Sequence, residues 1–235
     1  MINKIYIALI TILVLVAGLS LSPVLAKNDK NLTDQDIPEQ DGVYDVAGHP
    51  EMKVRVFVHN PKVKPEPTVS PALVCNLTDL DSSAFIDATK WYLPSAWTYN
   101  LNPSSVPSSV GSAKLSSIAQ LAFDVWSVAN KGKVTFNAGS PTTVNRARFD
   151  GKNIIAWGTT SGSALAVTYT WYYPSTGLVA EVDTIMNQRV SWSWTNQAIS
   201  PNCANSNSYD SQDILTHELG HWLGLTDKYT SAYVN

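Results

Sequence analysis

The sequence predicts an α+β domain, and the order of its periodic segments carries that prediction. Residues 114–130, KLSSIAQLAFDVWSVAN, repeat apolar side chains at helical spacing. Short runs rich in β-branched and aromatic residues lie on both sides of this segment and are separated by Gly- and Ser-rich turns. A second helix is expected near the end of the chain, in the run HELGHWLGLTD. A strand, a long helix, several strands and a final helix together indicate an α+β fold, in which a twisted mixed sheet packs against both helices.

The individual elements follow from local patterns along the chain. Residues 51–59, EMKVRVFVH, alternate between an apolar series and a more polar one, which predicts one half-buried strand. Five further strands are predicted, at residues 96–101, 134–137, 153–158, 164–172 and 178–186. The long helix has an expected sheet-facing stripe that consists of Leu115, Ile118, Ala122, Val125 and Ala129. Ser211 is the expected N-cap of the last helix, and Asp213 would favour the positive end of its dipole.

Length and composition restrict the class of protein. The chain has 235 residues, of which 44% are hydrophobic and only 15% charged, so it can bury one sizeable core. A net charge of -3 gives no reason to expect nucleic acid or an anionic membrane as a partner. The 8 Trp and 10 Tyr residues suit a β-rich extracellular protein, and we expect a monomer.

The N-terminus has the pattern of a secretory signal peptide. Lys4 precedes an apolar stretch at residues 5–21, and Val24-Leu25-Ala26 offers a small-residue cleavage site. We therefore expect residues 1–26 to be removed, the mature protein to be extracellular, and no stable association with the membrane to remain. The alternative is an uncleaved anchor, because residues 5–26 are almost long enough to span a bilayer.

The run HELGHWLGLTD contains the residue types and spacings of a zinc hydrolase site. His217 and His221 are four residues apart, so on a helix both imidazoles can bind one metal ion. Glu218 would place a carboxylate beside that ion as a general base. Gly224 allows the backbone to turn out of the helix, which places Asp227 as a third ligand.

These residues, with AWTYNLNPSSVP and LVAEVDTIMN earlier in the chain, resemble the metzincin metallopeptidases, and most of all their bacterial and archaeal matrixin-like branch. The resemblance covers roughly residues 90–229. It implies a secreted zinc endopeptidase in which Glu218 activates a water molecule and a peptide substrate aligns on an upper edge strand, within residues 164–172 or 178–186. The alternative is a non-catalytic binding or adhesion protein on the same scaffold.

The chain departs from the metzincin pattern at two points. The family's usual third ligand is His, whereas this chain has Asp227, whose carboxylate oxygen zinc also accepts. The family also has a Met-turn shortly after the third ligand, but the methionines here are Met1, Met52 and Met186. We therefore expect the lower subdomain, and with it the C-terminus of the domain, to be incomplete.

The resemblance divides the rest of the chain into a peptidase domain at residues 86–235 and a preceding segment at residues 27–85. This segment carries many charges and the Pro-rich stretch NPKVKPEPTVSP, so we interpret it as an inhibitory pro-region or a plain N-terminal extension with a linker. His49 and His59 lie within it and are expected at the surface.

Two residue pairs complete the candidate sites. Cys75 and Cys203 are the only cysteines, and a disulfide between them is expected in a secreted chain. The alternative is a cysteine switch, in which the Cys75 thiolate binds the zinc ion of a zymogen. Glu181 and Asp183 could bind a structural calcium ion, but two carboxylates two residues apart on a strand more often form a solvated face.

Overall fold

The computed structural model describes residues 37–61, 72–76 and 85–227, so the predicted signal peptide lies outside the described residues. The architecture is α+β, as predicted. The strands, in chain order, are β1 (Gly42–Val46), β2 (His49–His59), β3 (Leu73–Val74), β4 (Phe85–Ile86), β5 (Ala96–Leu101), β6 (Thr135–Ala138), β7 (Ile154–Gly158), β8 (Ala166–Tyr173), β9 (Leu178–Asn187), β10 (Trp192–Ser193), β11 (Ala204–Asn205), β12 (Tyr209–Asp210) and β13 (Leu225–Thr226). The α-helices are α1 (Leu115–Ala129) and α2 (Ser211–Trp222). No helix among the described residues is long and apolar enough to cross a membrane.

The main sheet is mixed and has seven strands in the order β1-β2-β8-β9-β7-β5-β6. The strands from β1 to β9 pair antiparallel along this order, whereas β9, β7, β5 and β6 pair in parallel. The six predicted strands correspond to β2, β5, β6, β7, β8 and β9, with ends that differ by at most two residues. The strands of two residues were not predicted, because two residues are too few to show a period of two. Strand β1, which has five residues, was not predicted either.

Helix α1 has the predicted position but not the whole predicted face. Its buried residues are Leu115, Ile118, Ala119, Ala122 and Phe123. Val125 is 50% exposed and Ala129 is exposed as well, so these two assignments are wrong. The buried stripe follows i, i+3, i+4, i+7 and i+8, and Val125 lies beyond its edge on the helical wheel.

Strand β2 belongs to the main sheet although it lies in the segment expected to precede the peptidase domain. It pairs antiparallel with β8 over seven residue pairs, from Lys53 with Tyr172 to His59 with Ala166. The sheet therefore extends across the expected boundary at residue 86. With β2 in place, neither segment expected to offer the substrate edge is an edge strand, because β8 lies between β2 and β9 and β9 lies between β8 and β7.

Both faces of the sheet are buried. One face packs against α1 and α2, and the cluster between them contains Phe57 and Trp157 from the sheet and Trp222 from α2, among others. The opposite face contains Val54, Val56 and Trp171, and loop residues from 144 to 149 pack against it. A strand that is covered on both sides needs apolar residues at successive positions, which is the pattern of IIAWG in β7.

The predicted disulfide between Cys75 and Cys203 is present. It joins β3 to β11, which pair antiparallel, and it closes a loop with a sequence separation of 128 residues. Because Cys75 carries no free thiol, the described structure gives no support to the cysteine-switch alternative.

The burial of β2 leads to a prediction about stability. Val56 is fully buried between β1 and β8, whereas Val43 on β1 is 45% exposed. Val56→Ala should lower the free energy of unfolding by about 2 kcal/mol through lost apolar burial and a residual cavity. Val43→Ala is the same substitution at an exposed strand position and should alter the free energy of unfolding by less than about 0.5 kcal/mol. Equal effects in urea denaturation would show that β2 is not part of the folded core.

Candidate metal centre

Helix α2 carries the candidate ligands, and its first turn is held by Asp210. The Asp210 side chain accepts hydrogen bonds from the backbone N–H groups of Gln212 and Asp213. Its second carboxylate oxygen accepts from Thr195 N at 2.8 Å. Asp210 has an extended backbone and is the N-cap, so the assignment of Ser211 to this position is wrong. Ser211 lies inside the helix, and its hydroxyl donates to Ser193 O at 2.7 Å.

The chain reverses direction at Gly224, as predicted. Gly224 has a φ of +86°, and an added Cβ would meet its nearest neighbouring atom only at an ordinary contact distance of 3.5 Å. The backbone conformation, rather than lack of space, therefore favours glycine at this position. After the turn, β13 pairs antiparallel with β4, and Asp87 N donates to Gly224 O at 2.8 Å. This pairing directs the next residue, Asp227, back towards α2.

The structure brings the three predicted ligands together. Asp227 Oδ1 lies 2.9 Å from His217 Nε2, and Asp227 Oδ2 lies 3.7 Å from His221 Nε2. One potential ligand atom from each residue lies within 4.8 Å of the other two. Two imidazoles and a carboxylate form a donor set that suits zinc and leaves a coordination position open.

The environment of His221 shows that this donor set fits a metal ion. Its Nδ1 lies 2.9 Å from Leu225 O, and since a carbonyl can only accept, Nδ1 carries the proton. Nε2 therefore presents a lone pair, yet this buried atom has no hydrogen-bond partner among the described residues. Burial lowers the pKa of His221 below its ordinary value, which favours the neutral imidazole. A metal ion would satisfy the Nε2 lone pair.

Phe57 fixes the plane of the His221 ring. The two rings stack at a centroid distance of 4.0 Å with an interplanar angle of 5°. The guanidinium of Arg55 lies 4.0 Å from the centroid of the same Phe57 ring. A ligand that is held by stacking and by a hydrogen bond at Nδ1 keeps its orientation without the metal.

Glu218 is fully buried, and both of its carboxylate oxygens have protein partners. Oε1 lies 3.0 Å from His59 Nδ1, and Oε2 accepts a hydrogen bond from the Thr168 hydroxyl at 2.6 Å. Burial alone would raise the pKa of Glu218, but the hydrogen bond from His59 and the electrostatic effect of the neighbouring histidines outweigh it and lower that pKa. The carboxyl is thus held in its ionised form.

His59 lies in this site and not at the surface as expected. It is the last residue of β2, its side chain is 14% exposed, and its ring centroid is 4.0 Å from that of His217. His59, His217 and Glu218 form a second group of possible ligands with atoms within 4.8 Å of one another. The other histidine of this segment, His49, is 44% exposed at its side chain, as expected.

Sequence reasoning missed Phe57 and His59 because the polar series of β2 was assumed to face solvent. One signal was available, because Phe57 is a large apolar residue within that series. Its presence indicates that this face of the strand is buried as well.

Glu181 and Asp183 are buried and do not form a solvated face. Both accept hydrogen bonds from backbone N–H groups: Glu181 from Asp150 and Gly151 in the loop before β7, and Asp183 from Arg148 in that loop and from Ile154, the first residue of β7. Burial raises the pKa of Glu181 to about 7. Neither carboxylate belongs to a group of three or more possible metal ligands among the described residues, so the structure gives no support to a calcium site here.

Comparison with protein-family models, with curated proteins and with solved structures finds no match to this chain.

Asp227 provides a direct test of the metal centre. We expect Asp227→Ala to weaken zinc binding by at least about a hundredfold, because loss of a ligand should exceed the 10- to 100-fold effect of losing a ligand's own hydrogen-bond partner. Titration against a chromogenic chelator measures the affinity. Asp45→Ala, at an exposed aspartate on β1, is the control and should bind zinc like the wild type. Equal affinities for the two variants would exclude Asp227 as a ligand.

Proposed function

We propose that this protein is a secreted zinc-dependent endopeptidase. The observation that carries the proposal is the convergence of His217, His221 and Asp227, in which the buried Nε2 of His221 has no hydrogen-bond partner among the described residues. Glu218 follows the first ligand directly and supplies a carboxylate at the same site. This combination meets the requirements of metal-assisted peptide hydrolysis.

The proposed reaction assigns one role to each group. Zinc bound by His217, His221 and Asp227 would lower the pKa of a water molecule and polarise the carbonyl of the scissile peptide. Glu218 accepts a proton from that water while the oxygen of the water molecule attacks the carbonyl carbon of the substrate. When the C–N bond breaks, Glu218 returns the proton to the leaving amine.

Two features indicate that the N-terminal segment holds this activity latent. His59 engages Oε1 of Glu218, the oxygen that Thr168 leaves available. In addition, β2 occupies the edge of β8, on which an extended peptide would otherwise add as a strand. We propose that hydrolysis requires the end of β2 to move away, which agrees with an inhibitory role of the pro-region.

Secretion remains part of the proposal and has one structural support. The disulfide between Cys75 and Cys203 suits an oxidising compartment, in which such bonds persist. The predicted signal peptide at residues 1–26 assigns the same location.

A non-catalytic binding protein is the second candidate. The observation that favours it is the complete enclosure of Glu218, both of whose oxygens have protein partners. In such a protein zinc would stabilise the fold, and Glu218 would only support His59. The two candidates differ in whether Glu218 and zinc are needed for hydrolysis.

Glu218→Gln tests the catalytic candidate. It keeps the size of the side chain but removes the base, so we expect casein hydrolysis to fall by about 10²- to 10⁴-fold. The zinc content should not change, because Glu218 is not one of the three ligands. A zinc chelator should abolish hydrolysis by the wild type. If hydrolysis survives in Glu218→Gln or in the presence of chelator, the proposed mechanism is wrong.

His59→Ala tests latency. Removing a hydrogen bond to a charged group worth about 1.5–3 kcal/mol should raise the activity of the intact chain by about 10- to 100-fold. His49→Ala, at the exposed start of the same strand, is the matched control and should leave activity unchanged. If activity falls in His59→Ala, then His59 assists the reaction and does not restrain it.

A further inference from the structure

A chain of hydrogen bonds connects the end of α2 to Glu218 through two strands of the sheet. The indole Nε1 of Trp222 donates to Thr184 Oγ1 at 2.9 Å. The hydroxyl oxygens of Thr184 and Thr168 are 2.8 Å apart, and Thr168 Oγ1 lies 2.6 Å from Glu218 Oε2. All four residues are fully buried, so water does not compete for these bonds.

The chain forms because the helix and the sheet have matching spacings. Glu218 and Trp222 are four residues apart on α2, so their side chains lie on one face about 6 Å apart along the axis. Thr168 on β8 and Thr184 on β9 are directly paired, and the Cα atoms of such pairs lie about 4.5–5.5 Å apart. The two helix residues therefore lie over the two threonines.

The donor-to-acceptor direction of this hydrogen-bond chain is determined at both of its ends. An indole N–H can only donate, so Thr184 accepts from Trp222 and retains its own proton to donate. At the other end, Thr168 donates its proton to the carboxylate oxygen Oε2 of Glu218. Thr168 must then accept from Thr184. Every donor in the chain is used once, and the dipoles align towards the carboxylate.

This arrangement makes the two oxygens of Glu218 unequal. Oε2 is held by the sheet through Thr168, whereas the hydrogen-bond partner of Oε1 among the described residues is His59, on the strand that we propose moves. Once His59 leaves, Oε1 is the oxygen that can accept a proton from water. A carboxylate that is held at one oxygen keeps the other in a defined position.

We infer that Thr168, supported by Thr184 and Trp222, is a positioning residue that holds Oε2 of Glu218 and presents Oε1 to the reacting water. This inference rests on the proposed peptidase function. It assigns a role to residues on β8 and β9 that lie outside HELGHWLGLTD.

Replacement of Thr168 tests the inference. Thr168→Val keeps the shape of the side chain but removes the hydroxyl, so the carboxylate loses its anchor. We expect kcat for casein hydrolysis to fall by about 10- to 100-fold. KM and zinc content should stay unchanged, because Thr168 is not a zinc ligand and the substitution leaves the backbone N–H and C=O groups of β8, to which a peptide strand would bond, in place. Thr168→Ser restores the hydroxyl and should recover kcat to within about threefold of the wild type.

Thr170→Val is the matched control. Thr170 lies two residues further along β8 on the same face, and it is also fully buried. Its hydroxyl, however, has no hydrogen-bond partner among the described residues. Thr170→Val should therefore keep the wild-type kcat. The inference would be overturned if Thr168→Val kept the wild-type kcat. It would also be overturned if Thr168→Ser lost as much kcat as Thr168→Val while both variants remained folded and bound zinc.

A second measurement separates this inference from the proposed function. In zinc-free protein, the indole N–H proton of Trp222 can be assigned by its absence in Trp222→Phe. If the hydrogen bonds of this chain polarise one another, the Trp222 resonance should shift upfield in Thr184→Val and shift by less in Thr168→Val. It should not shift in Thr170→Val. If neither the wild type nor His59→Ala hydrolyses peptide, the proposed function fails, while these shifts still decide whether the hydrogen-bond chain orders Glu218. An unchanged Trp222 resonance in Thr184→Val would show that these residues do not form the proposed hydrogen-bond chain.

Discussion

The pairing of β2 with β8 is the interaction on which the rest of the structure depends. One face of β2 then lies in the core on the side of the sheet away from the helices, and the other face lies against α2. The first face buries Val54 and Val56, and the second brings Phe57 and His59 to the candidate metal centre. Because the side chains of a strand alternate with a period of two, a shift of register by one residue would exchange these faces. The stability of the sheet and the geometry of the centre therefore depend on the same set of backbone hydrogen bonds.

The parts of the fold that could be predicted from sequence depend on neighbours in the chain. The convergence of His217 and His221 follows from a four-residue spacing, and the reversal at Gly224 places Asp227 three residues later. The contact between His59 and Glu218, by contrast, joins residues 159 positions apart. Alternation along β2 indicates that the strand has two different faces, but it does not indicate what each face contacts. The same limit explains why Glu181 and Asp183 were expected on a solvated face and are buried.

The carboxylates of the protein show how strongly the environment determines their protonation. Glu218 and Glu181 are both buried, yet the pKa of Glu218 is lowered and that of Glu181 is raised to about 7. For both groups, burial is the largest influence and acts in the same direction. Glu218 has imidazoles nearby, whereas Glu181 has only backbone N–H donors and the repulsive charge of Asp150. The carboxyl at the candidate metal centre therefore has a lowered pKa, and the one beneath the loop is pushed towards neutrality.

The disulfide at Cys75 also affects how strongly β2 holds its place. It anchors the chain at β3, so β2 is connected to a fixed point on the protein by only the short stretch between His59 and Cys75. Such a tether gives the strand an effective concentration on the order of millimolar at the edge of β8, whatever the concentration of the protein. If that stretch were cut, the disulfide would keep residues 72–76 in place, and the pairing of β2 would become a bimolecular equilibrium subject to dilution. The affinity of the strand for the sheet, and not only its fit, would then determine how long β2 stays beside the candidate metal centre.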